Sequence, residues 1–262
     1  RMRHSLALAM DVQQSLLPKM TPQVPGLDIA GRSIYCEEIG GDYFDYLHAG
    51  DPLHIVVGDV SGHGISAALL MSSVRASLRQ CYCEIEDIST QVSNLNRNVA
   101  LDAGDSGRFV TLFYLAVYPG AHRIRWVRAG HDPGILYRRE EDAFEDLSGK
   151  GIALGIDAEY QYSPEARTGL HKGDIILIGT DGIWEAFDDQ GTMFGKQALQ
   201  AIVRRHREDR VQVLINGVFD AVRRHRGDAK PADDMTLVAV KFDGEGSNPP
   251  KISLASSGGT NF

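Results

Sequence analysis

The chain has 262 residues, of which 43% are hydrophobic and 24% are charged, and its formal net charge is −8. These values exclude global disorder, and the acidic balance argues against nucleic acid or an anionic membrane as a partner. Its three cysteines, Cys36, Cys81 and Cys83, form no C-x-x-C pair, and no apolar run reaches the roughly 18 residues of a membrane span. We therefore expect reduced thiols and a cytoplasmic location.

The first predicted element is an amphipathic helix over residues 1–17, which Pro18 ends. Its spacing allows two interpretations. The helix either packs on its own domain or is a signalling helix that pairs with a second copy, as in a coiled coil. Because the chain begins at Arg1, we also expect it to be a piece of a longer protein.

The remaining elements mix strands and helices without regular alternation. The pattern predicts strands over residues 53–57, 109–117, 124–128, 175–178 and 236–242, and helices over 64–80, 88–101, 194–205 and 210–223. This order favours an α+β class over a doubly wound parallel sheet. The segment after Asp243 is rich in Gly, Ser, Asn and Pro, which predicts a flexible tail. We therefore divide the chain into residues 1–24, 25–243 and 244–262.

Acidic residues recur at the ends of predicted strands or beside glycine. Asp59 and Asp181 each follow an apolar strand, Asp42 follows Gly40-Gly41, and Asp233-Asp234 precede the last strand. One Asp-Gly after a strand is most often a turn, but four such sites together indicate a cluster. Converging carboxylates repel each other unless a cation holds them, and oxygen ligands suit Mg²⁺ or Mn²⁺. The sequence therefore predicts a metal site.

Five strings in order resemble one known family. They are GGDYFD (40–45), GDVSGHG (58–64), AGHDP (129–133), TDGIWEA (180–186) and DDMT (233–236). Together they resemble the PPM, or protein phosphatase 2C, superfamily. Within it they are similar to the bacterial RsbU and stage II sporulation protein E type of serine/threonine phosphatase. The resemblance covers about residues 13–242.

The resemblance implies a fold and a metal centre. The fold is a four-layer α-β-β-α sandwich, with two antiparallel sheets flanked by helix pairs. The centre holds two divalent cations, Mn²⁺ or Mg²⁺. Asp59 would bridge them, Asp181 and Asp233 would complete one, and Asp42 and the Val60 carbonyl would serve the other. Asp234 is the alternative to Asp233, which we prefer because the family motif places the ligand first in the pair.

The same resemblance implies hydrolysis of phosphoserine or phosphothreonine by a metal-activated water, with Asp59 and Asp181 as catalytic residues. His63 could donate a proton to the leaving group, although a structural or helix-capping role is favoured at its position. For His131 we favour positioning of a turn over chemistry. Arg32 is interpreted as an exposed strand residue, which leaves no evident phosphate-binding arginine near Asp42.

The implied partner is a phosphorylated anti-sigma factor antagonist of the STAS type. An upstream sensor or receiver domain and a homodimer through the N-terminal helix are also expected. Two alternatives stay open. One is a non-catalytic pseudophosphatase that only binds. The other is a nucleotide cyclase, because GGDYFD is similar to the GGDEF loop of diguanylate cyclases, but that reading leaves Asp181 and Asp233 unexplained.

Overall fold

Two five-stranded antiparallel sheets form the centre of the molecule. The computed structural model describes residues 2–48, 51–84 and 87–244. Its strands are β1 (Leu27–Ile34), β2 (Tyr43–His48), β3 (Leu53–Val60), β4 (Val110–Tyr118), β5 (Arg123–Ala129), β6 (Gly134–Arg138), β7 (Ala143–Leu147), β8 (Glu165–Thr168), β9 (Ile175–Gly179) and β10 (Met235–Phe242). Its α-helices are α1 (Met2–Leu16), α2 (Gly64–Glu84), α3 (Ile88–Ala103), α4 (Gly195–Arg205) and α5 (Val211–Arg226). One sheet has the order β1-β10-β9-β6-β7, and the other has the order β2-β3-β4-β5-β8.

Three apolar cores hold four layers together. The middle core lies between the sheets and includes Phe113, Leu115 and Ile176. Tyr114, between the first two along β4, points to the opposite face and joins the core under α2 and α3. The third core packs α4 and α5 on the other sheet. Because β4 is buried on both faces, its sequence is a continuous apolar run without alternation.

Polar contacts fix the ends of several helices. The Asp87 side chain caps α3 by accepting the Thr90 N–H at 3.0 Å. Helix α1 ends at Leu16, whose carbonyl oxygen accepts a hydrogen bond from Arg75 Nε of α2 at 2.8 Å. This hydrogen bond attaches α1 to α2. Among helices in the described ranges, none is long and apolar enough to cross a lipid bilayer.

The predicted fold class is confirmed: two antiparallel sheets lie between helix pairs. The predicted α2 was short by four residues at its C-terminus. The sequence pattern did not predict β2, β6, β7 or β8. For β1 it indicated only that Arg32 lies on a strand. Residues 245–262 of the predicted tail lie outside the described residues, and the division at residues 24 and 243 stays a prediction.

Candidate metal centre

The four predicted aspartates lie at strand ends on one edge of the sandwich. Asp42 directly precedes β2 and Asp59 is the penultimate residue of β3, which pairs with β2. Asp181 follows β9 by one residue, and Asp233 precedes β10, which pairs with β9. In an antiparallel pair, the start of one strand lies beside the end of its neighbour. The topology therefore brings residues that are far apart in sequence to one place.

Burial and mutual repulsion raise the pKa values of Asp42, Asp59 and Asp181. The pKa of Asp59 rises to about 8, first because of burial and then because of Asp181, Asp233 and Asp234. The pKa of Asp42 is raised well above its ordinary value by burial and by Asp59. The pKa of Asp181 is raised by burial and by Asp233. Each carboxylate thus stands in the field of the others, and a bound cation would relieve that repulsion.

Hydroxyl groups hold Asp42 in place. Thr180 Oγ1 donates a hydrogen bond of 2.7 Å to Asp42 Oδ2 across 138 positions of sequence. The same Thr180 oxygen accepts the Thr236 N–H at 2.9 Å. Contacts with the Thr236 and Thr180 hydroxyls lower the pKa of Asp42 and so oppose part of the effect of burial. Thr180 is a positioning residue that the sequence analysis missed, although it opens the TDG string.

Asp234 ties its own loop to the loop between β1 and β2 through its carboxylate. Its Oδ1 accepts the Cys36 N–H at 2.8 Å, and its Oδ2 accepts the N–H groups of Gly41 and Asp42 at 2.8 and 3.4 Å. Asp234 is buried, whereas its neighbour Asp233 is exposed. Both oxygens of Asp234 therefore serve the backbone, which leaves Asp233 the freer carboxylate of the pair.

Cys36 was not singled out by the sequence analysis. Ligand atoms of Cys36, Asp233 and Asp234 lie within 4.8 Å of one another. The pKa of the Cys36 thiol is raised to about 12, by burial first and then by its hydrogen bond to Asp234 and the nearby carboxylates. Because Mg²⁺ and Mn²⁺ prefer oxygen ligands, we do not count Cys36 as a ligand.

Two glycines allow the loops of the site to touch. A Cβ atom on Gly41 would lie 2.8 Å from the Val60 carbonyl oxygen. A Cβ atom on Gly182 would lie 2.0 Å from the Asp234 carbonyl oxygen. The first contact places the Val60 carbonyl against the loop that carries Asp42, and the second joins the loops of Asp181 and Asp234.

The two histidines of the motifs differ in their surroundings. The side chain of His63 is 75% exposed just before α2, with Nδ1 3.2 Å from Glu37 Oε1. His131 is buried, with Nδ1 2.8 Å from Thr111 Oγ1 and Nε2 3.1 Å from the Gly179 carbonyl oxygen. Burial lowers the pKa of His131 to about 4. Neutral His131 thus joins β4 to β9 across the two sheets, and its role in positioning a turn stays a prediction.

Arg32 takes no part in the site. Its guanidinium lies 4.8 Å from the centroid of the Phe219 ring on α5. A cation over an aromatic face is a packing contact in this place, on the helix that covers β1. Arg32 was predicted to be an exposed strand residue; it lies on β1 as expected but is only partly exposed, because it packs on Phe219. The absence of a phosphate-binding arginine near Asp42 stays a prediction.

Comparisons with known proteins agree with the geometry. RsbU of Bacillus subtilis (strain 168), a phosphoserine phosphatase, is 30% identical over 239 residues, which cover 91% of this chain and 70% of RsbU. The SiaA-PP2C domain of Pseudomonas aeruginosa superposes with a TM-score of 0.76 at 18% identity, over 92% of this chain and 97% of that domain. The catalytic domain of the phosphatase PstP, solved with two manganese ions, superposes with a TM-score of 0.60 at 16% identity, over 83% and 98%.

A family model decides the classification. The model described as Stage II sporulation protein E (SpoIIE) matches residues 49–243. The matched segment contains Asp59, Asp181 and Asp233 and begins after Asp42. Its extent covers most of the chain, and the similarity to RsbU extends over nearly all of it. The chain therefore belongs to the SpoIIE family of PPM-type, metal-dependent protein phosphatases.

Proposed function

We propose that this domain hydrolyses phosphoserine or phosphothreonine on a partner protein, with two Mn²⁺ or Mg²⁺ ions as cofactors. The observation that carries the proposal is the convergence of Asp42, Asp59, Asp181 and Asp233 at one edge of the sandwich. Burial and repulsion there raise the pKa values of the first three. Similarity to RsbU supports the substrate class. We further propose that Asp59 and Asp181 are the catalytic aspartates.

The donor set fits hard divalent cations, because each proposed ligand atom is an oxygen. Asp59, Asp181 and Asp233 would hold one cation. Asp42, Asp59 and the Val60 carbonyl would hold the other, and Asp234 stays the alternative to Asp233. When bound, such a pair lowers the pKa of water and offsets negative charge on the phosphoryl group.

Residues of the chain orient the proposed metal ligands. Hydrogen bonds from Thr180 to Asp42 and from three backbone N–H groups to Asp234 fix the loops before a substrate arrives. Donors and acceptors that are positioned in advance lower the reorganisation needed during reaction. His63 remains a candidate for donating a proton to the leaving group. Its exposure and its contact with Glu37 favour a structural role instead.

We propose a STAS-type anti-sigma factor antagonist as the substrate protein and the cytoplasm as its location. An upstream sensor or receiver domain would control the reaction. This setting is supported by the similarity to RsbU and by the strings shared with its branch. It predicts that a phosphorylated STAS-type protein is dephosphorylated faster than a short phosphopeptide of the same sequence.

Control would reach the site through α1. Gln13 of α1 is buried, its Nε2 donates to the Gly40 carbonyl oxygen at 2.6 Å, and its Oε1 accepts the Gly40 N–H at 3.1 Å. Gly40 is two residues from Asp42, so a movement of α1 would be felt at the carboxylates. Exposed apolar side chains beside this contact, among them Leu8, Val12 and Leu69, offer the surface for the expected homodimer.

The decisive experiment measures phosphate release from a phosphoserine peptide with Mn²⁺, with and without chelator. We expect turnover that chelator abolishes and excess Mn²⁺ restores. Binding of the peptide without turnover would identify a pseudophosphatase, and conversion of GTP to a cyclic product would identify a cyclase. Deletion of residues 1–17 tests the role of α1, because unchanged activity and oligomeric state would contradict it.

A further inference from the structure

A cleft beside the carboxylates carries two cations that the metal centre does not use. Its volume is about 250 Å³, and Asp181 and Asp233 both line it. Arg226, the last residue of α5, and Lys230, in the loop before β10, line the same cleft. The cleft therefore joins the carboxylates of Asp181 and Asp233 to a pair of positive charges.

Arg226 has a donor without an acceptor. Its Nε is buried and makes no hydrogen bond in the part of the chain that the structure describes. Neither Arg226 nor Lys230 is in an ion pair with a carboxylate within residues 2–48, 51–84 and 87–244. Because Nε is closed to solvent, an anion in the cleft would bind Arg226 through the other N–H donors of its guanidinium. The planar guanidinium also matches the geometry of phosphate and carboxylate oxygens.

The negative charge around the cleft indicates a role for these two cations in substrate binding. The cleft is also lined by Glu185 and Asp188, and the chain carries a net charge of −8. A phosphoprotein that approached carboxylates alone would be repelled. Cations on the wall of the cleft offset that repulsion where the substrate enters.

Basic residues at this position can also have a purely structural role. Arg223, Arg224 and His225 share the last turn of α5 with Arg226, and cations stabilise the negative end of a helix dipole. Arg223 also pairs with Asp220, with an N–O distance of 3.1 Å. Arg226 differs from them because, of these four residues, it lines the cleft that Asp181 and Asp233 share.

We propose that Arg226 and Lys230 form the substrate-binding wall of the site and bind oxygen anions of the phosphoprotein. The anion is either the phosphoryl group itself or a carboxylate beside the phosphoserine, since both present the same oxygen chemistry. This inference rests on the proposed function for the identity of the substrate. It assigns to α5 and its loop the anion-binding role that Arg32 does not fill.

The test compares Arg226→Gln and Lys230→Gln with the matched control Arg224→Gln, which changes the same helix end outside the cleft. Substrates are p-nitrophenyl phosphate and two phosphoserine peptides, one with Glu and one with Gln next to the phosphoserine. We expect KM to rise by about 5- to 10-fold in Arg226→Gln, with kcat within about twofold of wild type. Lys230 is exposed in a loop, so its variant keeps the test valid should Arg226→Gln unfold.

The substrates separate the two sources of the anion. A rise in KM for all three substrates means that the wall binds the phosphoryl group. A rise for the Glu peptide alone means that it binds the neighbouring carboxylate. Equal KM values for Arg226→Gln, Lys230→Gln and Arg224→Gln overturn the proposal.

A binding measurement separates this inference from the proposed function. Fluorescence anisotropy with the labelled Glu peptide gives Kd for the same variants without any need for turnover. Wild-type protein that binds the peptide but releases no phosphate, with Kd raised in Arg226→Gln, contradicts the proposed function and supports the wall. Turnover in wild type, with Kd and KM unaffected by either cleft variant, supports the proposed function and contradicts the substrate-binding wall.

Discussion

The two halves of the carboxylate cluster are held in different ways. In the buried half, Asp42 and Asp234 are shielded from solvent and bound by a threonine hydroxyl and backbone N–H groups. In the open half, Asp181 and Asp233 line a cleft, and Asp233 is exposed. Asp59 lies between them and is influenced by Asp181, Asp233 and Asp234.

The difference separates two tasks. The buried half is connected to α1 through Gln13 and Gly40, so it is the half through which a signal would arrive. The open half faces the cleft with Arg226 and Lys230, so it is the half that a substrate would meet. A change in the buried half should therefore act first on stability, and a change in the open half should act first on activity.

Asp59→Asn should have the largest effect, because both halves depend on this residue. We expect kcat/KM with Mn²⁺ to fall by more than about 100-fold, since removal of a proposed shared ligand exceeds the effect of losing an outer contact. The Tm of the chelated protein at pH 8 should rise, because Asn carries no charge and needs no proton to be buried there. Phosphate release and thermal unfolding measure the two effects. Asp146→Asn, at an exposed position of β7, is the control, and a chelated Tm below wild type would contradict the repulsion argument.

Asp233→Asn and Asp234→Asn test the two halves directly. Asp233→Asn should raise the Mn²⁺ concentration for half-maximal activity by about 10- to 100-fold and leave Tm nearly unchanged. Asp234→Asn turns one acceptor into a donor that faces backbone N–H groups, so unfolding should become easier by about 2 kcal/mol. Manganese titration of activity and thermal unfolding measure both variants. The reverse pattern would make Asp234 the ligand.

Gly182→Ala tests the contact that joins the halves. The new Cβ would lie 2.0 Å from the Asp234 carbonyl oxygen, so the backbone must move. We expect a loss of about 3 kcal/mol in the free energy of unfolding, measured with urea. Gly107→Ala is the control: its φ of +68° and ψ of +11° lie in the left-handed region and open space surrounds it, so the cost should stay at about 1 kcal/mol. Equal costs would mean that the contact at Gly182 is not tight.

Much of the fold was predictable from local pattern. Apolar runs that end in Asp identified β3 and β9, and helical spacing identified the helices that follow them. Strand β8, with the sequence EART, is exposed along its whole length at the edge of its sheet, so it has no apolar face to reveal it. Strand β7 is likewise at a sheet edge and only partly buried.

The candidate site was predictable only where a motif marks the residue. The aspartates carry glycines or apolar strands beside them. Thr180, Gln13 and Arg226 owe their positions to partners or walls that the fold brings from distant parts of the chain, such as Asp42, 138 positions from Thr180. Local sequence patterns do not predict such long-range contacts. Arg226 also lay beyond the end of the helix predicted over residues 210–223.

The pH dependence of the chelated protein should follow Asp59. Its pKa is about 8 in the folded protein and near about 4 in an unfolded chain, so the folded state binds the proton more tightly. Its contribution to stability is therefore present below about pH 4 and is lost as pH rises toward 8. Tm in chelator should fall between pH 5 and pH 8, and Asp59→Asn should flatten that slope. A Tm that rises over this range in wild type, but not in the variant, would reverse the assignment.

His63→Ala should have the smallest effect and marks the limit of the open half. Because the side chain is 75% exposed and contacts Glu37, we expect kcat to change by less than about threefold. A general acid at this position would contribute about 100-fold or more to kcat, so the two roles are well separated. Glu37→Gln is the matched variant, since a structural pair predicts equally small changes for both residues. A 100-fold loss in His63→Ala, with Glu37→Gln near wild type, would make His63 the proton donor and extend the substrate-facing half to the start of α2.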